Sequence, residues 1–212
     1  MSKQIALTFD DGPNVTTTVQ VLEKLKKYNV RASFFLIADN ITEESAKVAR
    51  QAFDMGCEIN NHSKTHSHMP ELDAETIRME IEYTDEKIIG ITGQKPAFFR
   101  PPYIDVNNVM VENIDKPFIC GINGLDWEND VSAQRRAEMI LGKVADGNII
   151  LMHDTEGNDK TVEALDLIIP ELLARGYEFL TVSDLFKSKG ITPGVHNGVV
   201  YSDVLQTRRF DE

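Results

Sequence analysis

The sequence predicts an α/β fold, specifically a distorted, incomplete (β/α) barrel with about seven parallel strands. Short apolar runs rich in β-branched and aromatic residues alternate with longer amphipathic runs, which is typical of strands joined by crossover helices. The chain has 212 residues, of which 42% are hydrophobic, enough for one sizeable core. An open, doubly wound parallel sheet has the same alternation of elements and remains the alternative.

The strands and helices can be placed from their patterns. Strands are predicted over residues 5–10, 32–37, 57–60, 97–100, 118–122, 148–152 and 178–181. Helices are predicted over residues 19–28 and 73–91, where apolar residues recur on one face. A further helix begins after Thr42, carries Glu43 and Glu44 in its first turn, and ends at Gly56.

One domain is expected over residues 1–190, and residues 191–212 are expected to form a C-terminal tail packed on it or trailing from it. The two cysteines, Cys57 and Cys120, lie in apolar runs, which favours buried free thiols over a disulfide. No repeat or linker interrupts the pattern.

The formal charge of −12 argues against nucleic acid and anionic membrane surfaces as partners and favours a neutral or cationic substrate. No apolar run is long enough to cross a membrane. Met1 passes almost directly into the first strand, without a signal peptide. The chain as written is therefore expected in the cytoplasm, or outside the cell if a leader has been removed.

Two polar motifs point to a metal site. Asp10 and Asp11 end the first strand, where one carboxylate can bind a cation while the other accepts a proton, although an Asp-Gly-Pro sequence is also ordinary turn chemistry. His62 and His66 are four residues apart, so both imidazoles can reach one ion, although two exposed surface histidines would have the same spacing. Two imidazoles and the Asp11 carboxylate suit zinc, with cobalt, nickel or iron as alternatives.

Arg100 ends the fourth predicted strand and precedes two prolines and Tyr103. Its guanidinium can hold the free Asp10 in place and keep it ionised, and the alternative is a purely structural ion pair. The two prolines stiffen the loop, so we expect the amide of Tyr103 to face an oxyanion.

Three further polar or aromatic residues follow the last strands. His153 ends the sixth predicted strand and can donate a proton, and Asp126 is the expected partner that fixes its tautomer. Trp127 and Leu151 can wall a small apolar pocket, or they are ordinary core residues. No Gly-x-Ser-x-Gly motif occurs, which disfavours a serine nucleophile.

These motifs together resemble the polysaccharide deacetylase family, also called carbohydrate esterase family four or the NodB-homology domain. The resemblance runs from Ile5 to about Phe186 and rests on five segments in the family's order. They are residues 8–13, 62–66, 100–103, 126–127 and 151–153. Members often carry an acidic residue three positions before Asp126, where this chain has Asn123. That departure bears on the tuning of the site and not on the reaction.

The resemblance implies that Asp11, His62 and His66 bind one divalent metal ion and that water bound to the metal attacks the acetyl group. It implies that Asp10 is the catalytic base and that Arg100 orients it.

The resemblance also assigns the remaining site residues. His153, tuned by Asp126, protonates the departing atom, and the Tyr103 amide stabilises the oxyanion. Trp127 and Leu151 hold the acetyl methyl group.

The substrate that the resemblance implies is acetylated xylan or xylo-oligosaccharides. The segment over residues 157–165 is similar to that of members acting on xylan, and an acidic surface tolerates a neutral polymer. One alternative is an N-deacetylase of N-acetylglucosamine units in chitin oligosaccharides or peptidoglycan. Another is a carbohydrate-binding protein that has lost catalysis, but none of the expected acids, bases or ligands is missing from the sequence.

Overall fold

The central strand of the sheet is β1 (Lys3–Asp10), which pairs in parallel with three others. This computed structural model describes residues 3–212. The predicted domain begins at Met1, and the sequence was expected to begin without a signal peptide. Met1 and Ser2 lie outside the described residues. Alternation along β1 sends Ile5, Leu7 and Phe9 toward the helices and Ala6 into a second cluster on the other face. Asp10 therefore lies on the inner face at the end of the strand.

Helices and strands alternate as predicted. The remaining elements are α1 (Thr17–Tyr28), β2 (Ser33–Leu36), α2 (Glu43–Asp54), β3 (Glu58–Asn61), α3 (Ala74–Thr92), α4 (Asn108–Asn113), β4 (Phe118–Ile119), α5 (Ala133–Leu141), β5 (Ile149–His153), α6 (Asp159–Ala174), β6 (Tyr177–Leu180), α7 (Val182–Ser188) and β7 (Val200–Tyr201). Thr42 caps α2 by accepting a hydrogen bond from the Ser45 amide, so the predicted start of this helix is confirmed. In α3, Ile77, Ile81 and Ile88 are buried as expected, whereas Ile89 is exposed.

The parallel order of the main sheet is β3-β2-β1-β5, and β6 pairs with the first half of β1. Isolated bridges continue this order from Asn61 to Phe99, from Phe99 to Phe118, and from Ile122 back to Ile150 in β5. The sheet therefore curves around as an incomplete barrel and does not close with continuous pairing, which confirms the predicted fold class. Asp10 lies in register with both Phe35 and His153, so these strand ends reach the same level.

Two strand predictions were wrong in extent. Within residues 97–100 only Phe99 pairs, through one isolated bridge to Asn61 and one to Phe118, because the prolines that follow Arg100 have no amide to continue a ladder. Residues 118–122 shorten to β4, after which Cys120 donates to the carbonyl of Tyr201 instead of to a strand of the main sheet.

The C-terminal segment contributes a strand that its sequence pattern does not indicate. β7 pairs in parallel with β4, with Phe118 opposite Val200 and Ile119 opposite Tyr201. Val199, Tyr201 and Val204 are buried in the core cluster that contains Phe98 and Phe186. Both cysteines are free, as predicted. No helix in residues 3–212 is both long and apolar enough to cross a membrane.

Candidate active site

The polar strand ends surround one open cavity of about 490 Å³. Eight of the predicted site residues line it: Asp10, Asp11, His62, His66, Tyr103, Trp127, Leu151 and His153. The other two, Arg100 and Asp126, are buried behind the wall and bond to residues that line it. All ten predicted site residues are therefore brought to one place.

Asp11, His62 and His66 form a cluster with the geometry of a metal site. One donor atom from each lies within 4.8 Å of the other two. Oδ1 of Asp11 is 3.5 Å from Nε2 of His62 and 3.6 Å from Nε2 of His66. This oxygen is buried and has no hydrogen-bond partner among the described residues. A carboxylate oxygen and two imidazole nitrogens that converge in this way fit one divalent cation.

Hydrogen bonding leaves the correct nitrogen of His62 free for a metal. Nδ1 lies 2.7 Å from the carbonyl oxygen of Arg100, which can only accept, so Nδ1 carries the hydrogen. Nε2 faces Oδ1 of Asp11, where a divalent cation can take the place of a proton, the arrangement typical of a metal-binding histidine. Burial lowers the pKa of His66, and the charge of His62 lowers it further, which favours the neutral imidazole that a metal requires.

The charge state of Asp11 also suits a metal ligand. Burial opposes ionisation of its carboxyl group, but hydrogen bonding and charge from His62 outweigh burial, and Thr155 donates a further hydrogen bond of 2.8 Å. Together they hold the pKa of Asp11 well below its usual range. The residue is therefore an anion at neutral pH.

The loop that carries both histidines is held by buried acceptors. The carboxylate of Glu80 on α3 accepts hydrogen bonds of 2.9 Å from the amides of Lys64 and Thr65. Oδ1 of Asn61 accepts from the Ser63 amide at 2.8 Å. His66 has a positive φ of 59°, a strained conformation that these contacts help to keep.

Asp10 and Arg100 form a buried ion pair beside the metal cluster. Nη1 of Arg100 donates to Oδ1 of Asp10 at 2.5 Å, and Nη2 donates to the carbonyl of Cys120 at 2.6 Å. The guanidinium also lies over the ring of Phe35, 4.1 Å from its centroid. One oxygen of Asp10 is thus fixed by arginine, and the carboxylate lines the cavity.

His153, at the end of the neighbouring strand β5, forms a second pair with Asp126. Nδ1 of His153 lies 2.8 Å from Oδ1 of Asp126, and the His153 amide donates to Oδ2 at 2.7 Å. Burial lowers the pKa of His153, but the hydrogen bond and charge of Asp126 outweigh it and raise the pKa to about 9. The imidazole is therefore protonated at neutral pH, the form that can act as a general acid.

Aromatic and apolar residues form the rest of the wall. Tyr103 lies in a short 3₁₀ turn with a positive φ of 58°, and its ring packs edge-on against His66. Trp127 is half-exposed and packs edge-on against His153. Leu151 lines the same cavity and is buried, so it belongs to the base of the cavity. An exposed aromatic rim above an apolar base suits a sugar carrying a small acyl group.

Sequence reasoning missed several residues at the site. Asp154, directly after His153, is fully buried, and its Oδ2 accepts a hydrogen bond of 2.5 Å from Thr18. Cys120 lines the cavity, and Thr155 donates a hydrogen bond to Asp11. Their position next to a strand end was the only indication in the sequence, because none of them forms a recognisable motif.

The chain matches known protein families over most of its length. Residues 1–116 match the family model described as polysaccharide deacetylase. The chain is 50% identical over 193 residues to a bifunctional xylanase/deacetylase of Pseudobutyrivibrio xylanivorans, covering 91% of this chain and 32% of that protein. It is 34% identical over 191 residues to a peptidoglycan-N-acetylglucosamine deacetylase of Bacillus cereus, covering 87% of this chain and 69% of that protein. The chain thus spans 32% of the length of the first relative.

Solved structures give the same grouping. The Xyl-CE4 domain of a multidomain xylanase from the hindgut metagenome of Trinervitermes trinervoides superposes with a TM-score of 0.93 at 46% identity, covering 96% of this chain and 98% of that domain. A family 4 acetyl xylan esterase from Clostridium thermocellum, in complex with a cobalt ion, superposes with a TM-score of 0.92 at 40% identity, covering 96% of this chain and 100% of that one.

Proposed function

Because this chain belongs to the polysaccharide deacetylase family, we propose that it is a metal-dependent hydrolase that removes O-acetyl groups from acetylated xylan or xylo-oligosaccharides. One observation carries the proposal. A three-residue metal cluster, an Asp10–Arg100 pair and a His153–Asp126 pair all meet at one cavity. Hydrolysis of an acyl group needs these three functions together.

The donor set of Asp11, His62 and His66 supports zinc as the resident metal. Cobalt, nickel and iron also accept imidazole and carboxylate ligands, and the related acetyl xylan esterase structure contains cobalt. When bound, such an ion supplies Lewis acidity that polarises the acetyl carbonyl. No covalent enzyme intermediate is then required.

The remaining steps follow from the chain's own residues. A water oxygen bonds to the acetyl carbon while Asp10, held by Arg100, takes the water's proton. The carbon–oxygen bond to the sugar breaks, and the sugar oxygen takes a proton from His153. The products are acetate and a free sugar hydroxyl. The Tyr103 amide supports the developing oxyanion in this scheme.

The acetyl methyl group is proposed to rest against Trp127 and Leu151. Leu151 gives an apolar floor, and the half-exposed indole of Trp127 gives a wall that also contacts His153. The methyl group then lies within reach of the acid while the rest of the sugar stays in the open part of the cavity. This placement accounts for the buried apolar residue and the exposed aromatic residues in the lining of the cavity.

A second function is supported by the peptidoglycan-N-acetylglucosamine deacetylase relative. In that case the scissile bond is an amide and His153 protonates nitrogen. Acetate release from acetylated xylan and from N-acetylglucosamine oligomers, measured side by side, distinguishes the two. The xylan ester should be hydrolysed with the higher kcat/KM, and preference for the N-acetyl oligomers would reverse the substrate assignment.

Metal removal separates a catalyst from a carbohydrate-binding protein. Chelation with EDTA should abolish acetate release, and zinc or cobalt should restore it, because Asp11, His62 and His66 hold the ion. Absence of turnover in the zinc-loaded protein, with retained binding of xylan oligomers, would instead identify a binding protein.

A further inference from the structure

Arg136 on α5 is a buried cation that does not touch an anion directly. Its residue is 1% exposed. Its hydrogen bonds run to neutral acceptors: the carbonyls of Val131 and Glu128, Oδ1 of Asn158 and Oγ1 of Thr161. Burial of an unpaired guanidinium is costly, so a compensating negative charge is expected close by. That charge is Asp126, one hydroxyl group away.

A directional chain of hydrogen bonds joins Arg136 to the acid of the site. Nη1 of Arg136 donates to Oγ1 of Thr161 at 3.0 Å, and Oγ1 donates to Oδ2 of Asp126 at 2.8 Å. Oδ1 of Asp126 then accepts from Nδ1 of His153. A guanidinium can only donate, so the direction of every bond is fixed from the arginine onward.

Asn158 forms hydrogen bonds with all four residues of this chain of bonds, since its carbonyl also accepts from the Thr161 amide at 3.0 Å. Its Oδ1 accepts from Nη1 of Arg136 at 2.6 Å, and its Nδ2 donates to the carbonyls of Asp126 and His153 at 3.2 and 3.1 Å.

The loop before Asp126 also packs closely against α5. A methyl group on Gly124 would lie 2.5 Å from the Arg136 carbonyl oxygen. The distance from arginine to acid is therefore set by close packing.

We propose that Arg136, acting through Thr161, is a positioning residue that sets the acid strength of His153. The inference rests on the proposed function of His153 as the general acid. Hydrogen bonding from Thr161 and the nearby positive charge stabilise the Asp126 carboxylate, so Asp126 holds the imidazole proton less tightly than an isolated carboxylate would. His153 can then release that proton to a sugar oxygen.

Other charges also act on His153 and must stay constant in a test. They are Asp10 and Asp11 from the end of β1 and His66 from the loop that carries both histidines, and Asp154 is an ionisable residue next to His153 in the sequence. None of them contacts Arg136 or Thr161 through a hydrogen bond among residues 3–212. A change at Thr161 therefore alters one link and leaves this set in place.

The test is the titration of the His153 imidazole by NMR in Thr161→Val, Thr161→Ser and the unaltered protein, all in the same metal state. Valine keeps the shape of threonine and removes the hydroxyl, so the pKa of His153 should rise by at least about half a unit. Serine restores the hydroxyl and should return the pKa to its original value. The alkaline limb of kcat should move in the same direction as the imidazole titration.

A second pair of variants distinguishes the effect of the buried Arg136 charge on the pKa of His153 from the effect of any nearby surface charge. Arg136→Gln should raise the pKa of His153, whereas Arg135→Gln, at the exposed neighbouring position on α5, should leave it unchanged. The proposal is overturned by a folded Thr161→Val protein with unaltered titration, by failure of serine to restore it, or by equal shifts from both arginine variants. If Arg136→Gln does not fold, the threonine pair still decides.

The imidazole titration does not depend on turnover, so it tests the inference separately from the proposed function. If the proposed function is wrong, the unaltered protein will release no acetate. The titration alone would then support or contradict the role of Arg136.

Discussion

Gly12 and Asp154 pack so closely that a methyl group on Gly12 would lie 2.6 Å from Oδ2 of Asp154. The contact joins the turn after β1 to the end of β5. It also places the backbone of Asp11, a proposed metal ligand, directly beside a buried carboxyl group. The site therefore requires a residue without a side chain at position 12.

Gly12→Ala should destabilise the protein and weaken metal binding. The added methyl group must displace Asp154 or the turn carrying Asp11, and overpacking of this kind costs roughly 1–3 kcal/mol. Urea unfolding and calorimetric zinc titration measure the two effects. Gly90→Ala is the control, because that helical position has no neighbouring atom within 4 Å and alanine should be neutral or stabilising there. Unchanged zinc affinity in Gly12→Ala would contradict this account.

Asp154→Asn should change how stability depends on pH in the metal-free protein. Burial raises the pKa of Asp154 from 3.8 to about 7, and the charges of Asp11 and Asp10 raise it while Thr18 opposes them. A raised carboxyl pKa contributes stability below the unfolded value of 3.8, and that contribution is lost as pH rises through about 7. The asparagine variant should therefore become progressively more stable than the unaltered protein between pH 4 and 8. A stability difference independent of pH would show that Asp154 is ionised throughout.

Asp10→Asn should abolish hydrolysis and spare metal uptake, whereas His62→Ala should impair both. Asp10 is held by Arg100 and is not one of the three residues of the metal cluster, so the substitution removes the proposed base and leaves the proposed ligands in place. The expected fall in kcat for Asp10→Asn is at least about 100-fold. Metal content after gel filtration, together with acetate release, measures the division of roles. Equal loss of metal in the two variants would make Asp10 a ligand.

His153→Ala should slow N-acetyl substrates more than activated aryl acetates. A poor leaving group needs protonation, so kcat should fall by about 100-fold or more for the N-acetyl substrate and much less for the aryl ester. The ratio of the two effects is the measurement. Equal slowing of both substrates would remove His153 from the role of general acid.

The pH profile of the unaltered enzyme should have an alkaline limb that follows His153. Burial lowers its pKa, but Asp126 outweighs burial and raises it from 6.5 to about 9, so kcat should decline as pH rises through about 9. The linked stability is fully present below pH 6.5 and is lost across the same range up to about 9. The pH profile of kcat for His153→Gln should lack this alkaline limb. If the limb persists in the variant, another ionisable group causes it.

The site was predictable because its chemistry lies at strand ends. Asp10, His62 and His153 follow apolar runs whose spacing along the chain indicates strands, and parallel strands bring their ends to one edge. The contacts that the site residues make with one another and with buried neighbours were not predictable in this way. Arg136 follows Arg135 on an amphipathic helix, and the sequence does not distinguish the buried guanidinium from the exposed one.

The fold was predictable where elements are long and periodic. α2 and α3 begin within one residue of the predicted starts, and Thr42 and Asp73 cap them by accepting hydrogen bonds from the first turn. The short strands β4 and β7 were not predictable, since each has two residues and depends on a partner more than eighty positions away in the chain. Such pairing is decided by tertiary contact and leaves no local pattern.

The pairing of β4 with β7 makes the final stretch of the chain part of the cooperative unit that surrounds the cavity. Phe118 forms a bridge to Phe99, one residue before Arg100, and the Ile119 amide donates to the carbonyl of Phe99. Opening of β7 would expose that bridge and loosen the anchor of Arg100, so backbone amides at Ile119 and Tyr201 should exchange with deuterium at a common rate. We therefore expect the far end of the polypeptide to influence how rigidly Arg100 holds Asp10.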